Sequence, residues 1–381
     1  MTARRFRVGI VGLKPEQSWS ARAHVPALLS LRDHFEIAGV ANSSRSSAEA
    51  AAAACGLARA FDSVDDLVAS PDVDIVAVTV KVPHHRELVA KSLLAGKHVY
   101  CEWPLGNGLA ETEELAALAR EKRLLGVIGT QARVSPAIEH LRRLVTDGFV
   151  GEVLSSTIMA RGRSWGATID SEGHRGYLLD PANGATMLTI PMAHTLAALR
   201  DVLGDVVELT SYVENRRKRV RTDDTGDVLS MSAPDQIFVS GLLASGAPVS
   251  VCYRGGLPRD GMGFIWEIVG SDGEIRVTAE QGNTQMVRLT IQGANGDDRA
   301  LHTLEPGTAS RADLLDDIVA GNVARLYRRM AHDLLNGTST APTFDDAVAL
   351  HRVLASIEQA AVERGRVALP VSNRLLPPLP A

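Results

Sequence analysis

Three observations predict an α/β chain. An N-terminal doubly wound parallel sheet should be followed by an α+β domain with a large open, mostly antiparallel sheet. The first 130 residues alternate short apolar strands with helix-patterned segments. Beyond residue 150, strand-like segments follow one another through glycine-rich turns. At 381 residues the chain is too long for one ordinary core. The expected division is residues 1–130 and residues 131–381, with the C-terminal helices packing back.

The elements follow in order. Residues 6–12 read as a short buried strand ending in glycine. A helix carrying Ala23, Val25, Ala27, Leu28 and Leu31 comes next, then a strand over 35–40 and an alanine-rich helix over 47–55. A short helix over 65–69 precedes an apolar strand over 74–80. A helix over 87–94, a strand over 98–101, a helix over 109–121 and a strand over 126–129 complete the alternation. Right-handed crossovers would line the carboxyl ends of these strands along one crevice. The later strands are expected over 153–160, 206–214, 227–231, 236–243, 248–253, 264–270 and 273–279, with a helix inserted at 191–202. Helices return at 322–335 and 345–364, before a proline-rich tail at 375–381.

Composition sets the class. Hydrophobic residues make up 45% and charged residues 22%, as in soluble globular proteins. No apolar run approaches the roughly 18 residues a membrane span needs, and the N-terminus runs straight into a strand with no apolar leader. Cys55, Cys101 and Cys252 lie far apart without metal-ligand spacing and read as reduced thiols of a cytosolic protein. A net charge of -5 gives no reason to expect nucleic acid. The basic run Arg216, Arg217, Lys218, Arg219 and Arg221 reads as a solvated hairpin tip, because Asp223, Asp224 and Asp227 follow at once.

The first strand exit should cradle a pyrophosphate. Gly12 stands where the first glycine of a G-x-G-x-x-G turn belongs, but Lys14 and Gln17 hold the next two positions, and a polar loop leads to the helix bearing His24. The second strand ends in Ala41-Asn42-Ser43-Ser44-Arg45. An NAD-selective site usually has an acid there for the ribose 2′-hydroxyl. Two serines and an arginine suit a 2′-phosphate instead, so NADP(H) is preferred over NAD(H). The competing reading is that Ser44 to Ser47 merely caps a helix.

Taken in order, several motifs resemble the Gfo/Idh/MocA family of nicotinamide-dependent oxidoreductases. They are Gly9-Ile10-Val11-Gly12, Ala95-Gly96-Lys97-His98-Val99, Glu102-x-Pro104-Leu105, Gln131-x-Arg133-x-x-Pro136, Gly148-x-x-Gly151-Glu152-Val153 and Pro342-Thr343-Phe344-Asp345-Asp346-Ala347. Val80-Lys81-Val82-Pro83-x-His85, Glu102-Trp103 and Ala233-Pro234-Asp235 are most similar to the branch containing the galactose-pathway regulator of yeasts, which binds the cofactor but is not thought of as an enzyme. The resemblance implies a Rossmann domain and an open-sheet domain used in oligomer contacts, hence a homo-oligomer, dimer or tetramer. It also implies that Gly9, Gly12 and Leu13 meet the pyrophosphate, and Asn42, Ser43, Ser44 and Arg45 the adenosine ribose. Val80, Lys81 and His85 would flank the nicotinamide ribose, with Glu102, Trp103 and Gln131 closing over the nicotinamide half.

Two departures bear on chemistry. Trp103 stands where the family keeps a lysine that polarises the substrate oxygen, and an indole exchanges no proton at neutral pH. Ile190 stands where an acid should precede His194 by four residues. The remaining catalytic candidates are His194, suited to acid–base work, then Lys81 and Tyr177. Each has an ordinary alternative: a packed helix histidine, a ribose contact, a packed pocket residue. Asp180, Trp165, Arg161 and Arg163 are further pocket-wall candidates. The expected activity is hydride transfer on a sugar, polyol or small carbonyl or imine substrate. The alternative is a non-catalytic NADP-binding sensor with a protein partner, and a third, weaker one is an oligomer whose nucleotide only stabilises the fold.

Overall fold

The computed structural model describes residues 5–306 and 315–370, and the chain divides into two compact units. Among the described residues, the first unit holds 5–131 with 315–348, and the second holds 132–306 with 349–370. The proline-rich tail lies outside the described residues.

In the first unit, β1 (Phe6–Val11), β2 (Phe35–Ala41), β3 (Ile75–Val78), β4 (His98–Glu102) and β5 (Gly126–Gly129) form one parallel sheet. Its order is β2-β1-β3-β4-β5. Val8, Ile10, Ile75, Val76, Val99, Tyr100, Val127 and Ile128 are wholly buried, which is why these strands read as continuous apolar runs rather than alternating ones. The crossovers carry α1 (Val25–Ser30), α2 (Arg45–Ala54), α3 (Val64–Ala69), α4 (His85–Leu94) and α5 (Leu109–Lys122). A wide helical turn at Ser20–His24 feeds α1 directly. Because β2 lies on one side of β1 and β3 on the other, the crossovers diverge there and leave a crevice at the strands' carboxyl ends.

The second unit opens with α6 (Pro136–Thr146), started by a Ser135 cap and a proline in its first turn. The sequence reading had not assigned this helix. Next come β6 (Val153–Gly162), β7 (Thr168–Ile169), α7 (Glu172–Arg175) and α8 (Ala193–Leu203). The strands β8 (Val206–Glu214), β9 (Arg219–Thr222), β10 (Val228–Ser230), β11 (Gln236–Leu243), β12 (Pro248–Gly255), β13 (Phe264–Gly270), β14 (Gly273–Ala279), β15 (Thr290–Asn295) and β16 (His302–Thr303) follow. Helix α9 (Ile318–Asn336) belongs to the first unit; α10 (Phe344–Glu363) begins there and ends in the second, before β17 (Val367–Ala368). The large sheet runs β16-β15-β14-β13-β6-β12-β11-β8-β17 and is antiparallel except between β6 and β12.

Register gives this sheet two unlike faces. Val239, Val251, Ile158 and Trp266 stand side by side on four adjacent strands and are buried. One residue along, Tyr212, Phe238, Cys252, Met159 and Ile265 form a row on the opposite face, where Tyr212 is 69% exposed and Met159 51%. The expected strand over 227–231 does not join this sheet. As β10 it pairs with β9, and with β7 they make a separate three-stranded sheet. Arg219 and Arg221 therefore lie on a strand, and the aspartates, not the basic run, form the hairpin tip. Buried Asp235 accepts from the backbone N–H groups of Arg216 (2.5 Å) and Arg217 (3.1 Å), fixing the approach to that hairpin.

Candidate functional site

The crevice of the first unit gathers the cofactor-side candidates. Gly9 lies within β1, and the chain leaves that strand at Gly12 with φ +94°, a conformation that disfavours other residues. A Cβ there would lie 2.5 Å from Val80 Cγ1, so glycine also permits the close approach of the β3 exit. Leu13 N–H donates to Asn42 Oδ1 (2.9 Å), and Asn42 Nδ2 returns a bond to Leu13 O (2.9 Å). These two residues serve each other and lock the β1 and β2 exits together. In the polar loop, Lys14 N–H donates to Ser18 Oγ, which also donates to Lys14 O, so much of its backbone polarity is spent internally.

At the β2 exit, Ser43 is exposed and Ser44 caps α2, accepting from Ser47 N–H. The helix-cap reading of Ser44 thus describes its geometry. Exposed Arg45 pairs with Glu49 (2.8 Å) and with Asp62, which raises its pKa, chiefly through the Glu49 hydrogen bond. Lys81 is exposed at the β3 exit. His85, expected beside the nicotinamide ribose, ties two loops of the protein: Nδ1 lies 2.6 Å from Pro104 O and Nε2 2.9 Å from Val80 O. Its complete burial pushes its pKa down. Trp103 is buried at the β4 exit.

The densest polar cluster surrounds Glu102, the last residue of β4. His24 Nε2 lies 2.8 Å from Glu102 Oε1, and His24 Nδ1 lies 2.8 Å from the Tyr327 hydroxyl. Gln131 Nε2 donates to both carboxylate oxygens, at 2.9 and 2.7 Å. His24 therefore takes the tautomer that donates to the carboxylate and accepts from the phenol. Tyr100 and Tyr327 stack with centroids 4.8 Å apart, and His24 meets both rings edge-on. Burial, with the Glu102 charge adding to it, holds both phenols well above their ordinary pKa. Sequence reasoning used His24 only to mark a loop and did not single out Tyr327.

Gly129 completes the cluster. A Cβ at this position would lie 2.9 Å from Glu102 Oε2 and 3.0 Å from Gln131 Nε2. Beside it, the Thr130 hydroxyl and the Gln131 carboxamide oxygen are buried without a hydrogen-bond partner among the described residues. So is the indole N–H of Trp19, in the loop after Gly12. Buried polar atoms left this way are costly unless a ligand or water meets them. Orphan groups at both the β1 and β5 exits, with the Gly12 turn, fit a dinucleotide lying along these strand ends. When bound, such a cofactor supplies hydride chemistry. Gly12, the loop to Trp19, Thr130 and Gln131 are the residues that would hold it.

The second unit holds the other candidates. His194 is buried in the first turn of α8, directly after a wide helical turn at Leu188–Met192 that contains Ile190. Tyr177 sits in the short turn Gly176–Leu179, where burial raises its hydroxyl pKa. Trp165 is packed away, its indole donating to Leu178 O (3.0 Å), so it braces that turn. Asp180 caps the following turn through Ala182 N–H. Arg163 is exposed and Arg161 partly so.

Comparison with known proteins fits this division. Residues 6–130 match the model of the oxidoreductase family with an NAD-binding Rossmann fold, and residues 136–279 match that of the Gal80p C-terminal domain. The chain is 32% identical over 285 residues to the dehydrogenase aclE of Aspergillus oryzae, covering 72% of this chain and 77% of that one. It is 27% identical over 308 residues to the galactose/lactose metabolism regulatory protein GAL80 of Kluyveromyces lactis, covering 76% and 67%. Among solved structures, a super-repressor mutant of Gal80p from Saccharomyces cerevisiae superposes with a TM-score of 0.87 at 22% identity, over 96% of this chain and 98% of that one. Levoglucosan dehydrogenase in complex with NADH and L-sorbose gives 0.82 at 19% identity, over 96% and 99%. The chain belongs to the Gfo/Idh/MocA oxidoreductase family, with a C-terminal domain of the Gal80p type.

Proposed function

We propose that the protein is an NADP-dependent oxidoreductase of a reducing, cytosolic compartment. It moves hydride to or from a sugar, polyol or small carbonyl or imine substrate. The observation that carries this reading is the polar cluster at the β4 and β5 exits, where an ordered carboxylate and two orphan buried groups stand at the cofactor crevice. The likeness to a fungal dehydrogenase over most of both chains supports it. NADP(H) is favoured by the β2 exit. Ser43 and Arg45 are exposed there, and Arg45's present partners are surface carboxylates, exchangeable at little cost for a 2′-phosphate.

Fluorescence titration with NADPH and NADH, followed by a panel of sugars, ketones and cyclic imines, tests the proposal. Tight NADPH binding with turnover is the expected result; no turnover anywhere in the panel refutes the enzymatic reading. Arg45→Ala should weaken NADPH by about tenfold or more and leave NADH unchanged. Equal losses for both cofactors would remove the 2′-phosphate role. His194, Lys81 and Tyr177 enter the same assay as single variants.

Trp103 in place of the family's lysine favours a second reading, a cofactor-binding sensor with a protein partner, as the GAL80 relatives are regulatory proteins. Cofactor binding without turnover, and a partner that co-purifies only with NADP present, would mark it. In either case we propose a homo-oligomer joined through the open row of Tyr212, Phe238 and Met159, an exposed apolar stripe of the kind that marks an interface.

A further inference from the structure

We infer that Glu102 is the proton acceptor of the reaction, taking the role that Trp103 cannot fill, with His24, Gln131 and Tyr327 as its positioning residues. This rests on the oxidoreductase reading and names the group that completes it. A carboxylate offers about four acceptor directions. Three are filled: Oε1 takes His24 Nε2 and Gln131 Nε2, and Oε2 takes Gln131 Nε2. The buried Tyr100 hydroxyl also bears on this carboxylate. The side chain is 13% exposed whereas His24 is wholly buried, so the carboxylate is the end of the cluster that a ligand can reach.

The cluster behind Glu102 is closed. In the tautomer that donates to Glu102, His24 already carries its proton on Nε2 and accepts at Nδ1 from the Tyr327 hydroxyl. A proton arriving at Glu102 therefore has no route inward and returns to solvent through the exposed edge. The cluster acts as a clamp that keeps a carboxylate aimed and hydrogen-bonded as an anion. The exposed carboxylate edge is thereby held in one orientation for a substrate hydroxyl to reach. In the oxidative direction, the O–H bond of a substrate hydroxyl breaks and its proton goes to Glu102 Oε2. With an oxidised nicotinamide bound as hydride acceptor, the adjacent C–H bond would give up its electron pair as hydride and the C–O bond would become a carbonyl.

The test compares Glu102→Gln, Glu102→Asp and His194→Asn in the full chain, using NADP⁺ with whichever polyol or sugar the wild type oxidises. Cofactor Kd by fluorescence and thermal midpoint are measured alongside turnover. Glu102→Gln should lower kcat at least a hundredfold and abolish the acid limb of its pH profile, with cofactor Kd within about threefold of wild type. Glu102→Asp should restore part of the rate and the acid limb. A Glu102→Gln protein that is folded and keeps the wild-type rate and profile overturns the proposal. So does a loss seen only in cofactor Kd, which would make Glu102 a binding residue. If His194→Asn removes the acid limb and Glu102→Gln does not, the acceptor is His194. A wild type that oxidises nothing, yet binds NADP⁺, overturns the oxidoreductase reading and this inference with it, an outcome distinct from the variant results.

Discussion

Replacing His24 by alanine should destabilise the first unit strongly. The ring is wholly buried and bonds Glu102 and Tyr327, each at 2.8 Å. Its loss removes one donor from the carboxylate and strips the buried Tyr327 hydroxyl of its acceptor. An unsatisfied buried polar group costs about 1–3 kcal/mol, and more where it is charged. The edge-on contacts with Tyr100 and Tyr327 add about 0.5–1.5 kcal/mol each. Allowing for water entering the cavity, the expected destabilisation is about 3–5 kcal/mol, the scale of losing a large buried side chain together with its hydrogen bonds. At roughly 2–4 °C per kcal/mol for a unit of this size, the first thermal transition should fall by about 6–20 °C. Tyr327→Phe keeps the ring and loses the hydroxyl, so it should cost about 1–3 kcal/mol. Urea unfolding and differential scanning calorimetry of the three proteins settle the matter. A His24→Ala transition within 1 °C of wild type, roughly the scatter of a small surface effect, would refute the account of this cluster.

Other outcomes follow from single residues. Gly129→Ala sets a methyl group against Glu102 Oε2 and Gln131 Nε2, and should cost about 1–3 kcal/mol by calorimetry while weakening NADPH binding. An unchanged midpoint and Kd would show that the carboxylate has room to move. His351 is held neutral by burial, its pKa lowered to about 4. Its contribution is therefore complete above its unfolded pKa, near 6.5. It is lost as pH falls from there through the folded value, reaching about 3 kcal/mol. His351→Leu should flatten that limb in urea titrations between pH 7 and 4, and an unaltered slope would exclude the assignment. Tyr212→Glu with Phe238→Glu should convert an oligomer to monomer in light scattering at unchanged midpoint. An oligomer that persists places the interface elsewhere.

What could be read from the sequence was local. The strands of the first sheet announced themselves as apolar runs closed by Gly12, Glu102 and Gly129, because a parallel strand buried on both faces leaves little room for polar residues. Ser44 carried its cap signature openly. What escaped depends on partners distant in the chain. Nothing near β6 or β12 marks their pairing as parallel, since ladder direction is set by the path between them. Alternating burial in β9, with Val220 and Thr222 inside and Arg219 and Arg221 outside, was hidden by the charge of the run. His24 and Tyr327 are separated by 303 residues, so neither sequence window shows that the other completes it. The cofactor-side candidates were visible as types at strand ends. That Asn42 and His85 would bond to the protein itself required their neighbours' backbone positions.

The discontinuity of the first unit also bears on how the chain is made. Thr343 bridges to Val127, and Ile128 N–H donates to Pro342 O, so the β5 edge is finished by residues synthesised more than two hundred positions later. At typical elongation rates, residues 131 to 327 take about 10–40 s to emerge from a ribosome. During that interval the nascent nucleotide-binding half carries an unshielded Tyr100 and a His24 without its phenol. The second unit's sheet is meanwhile largely synthesised. A nonsense change near residue 306 would thus spare every motif of the Rossmann half and still leave it unfinished, a state suited to chaperone capture or proteolysis.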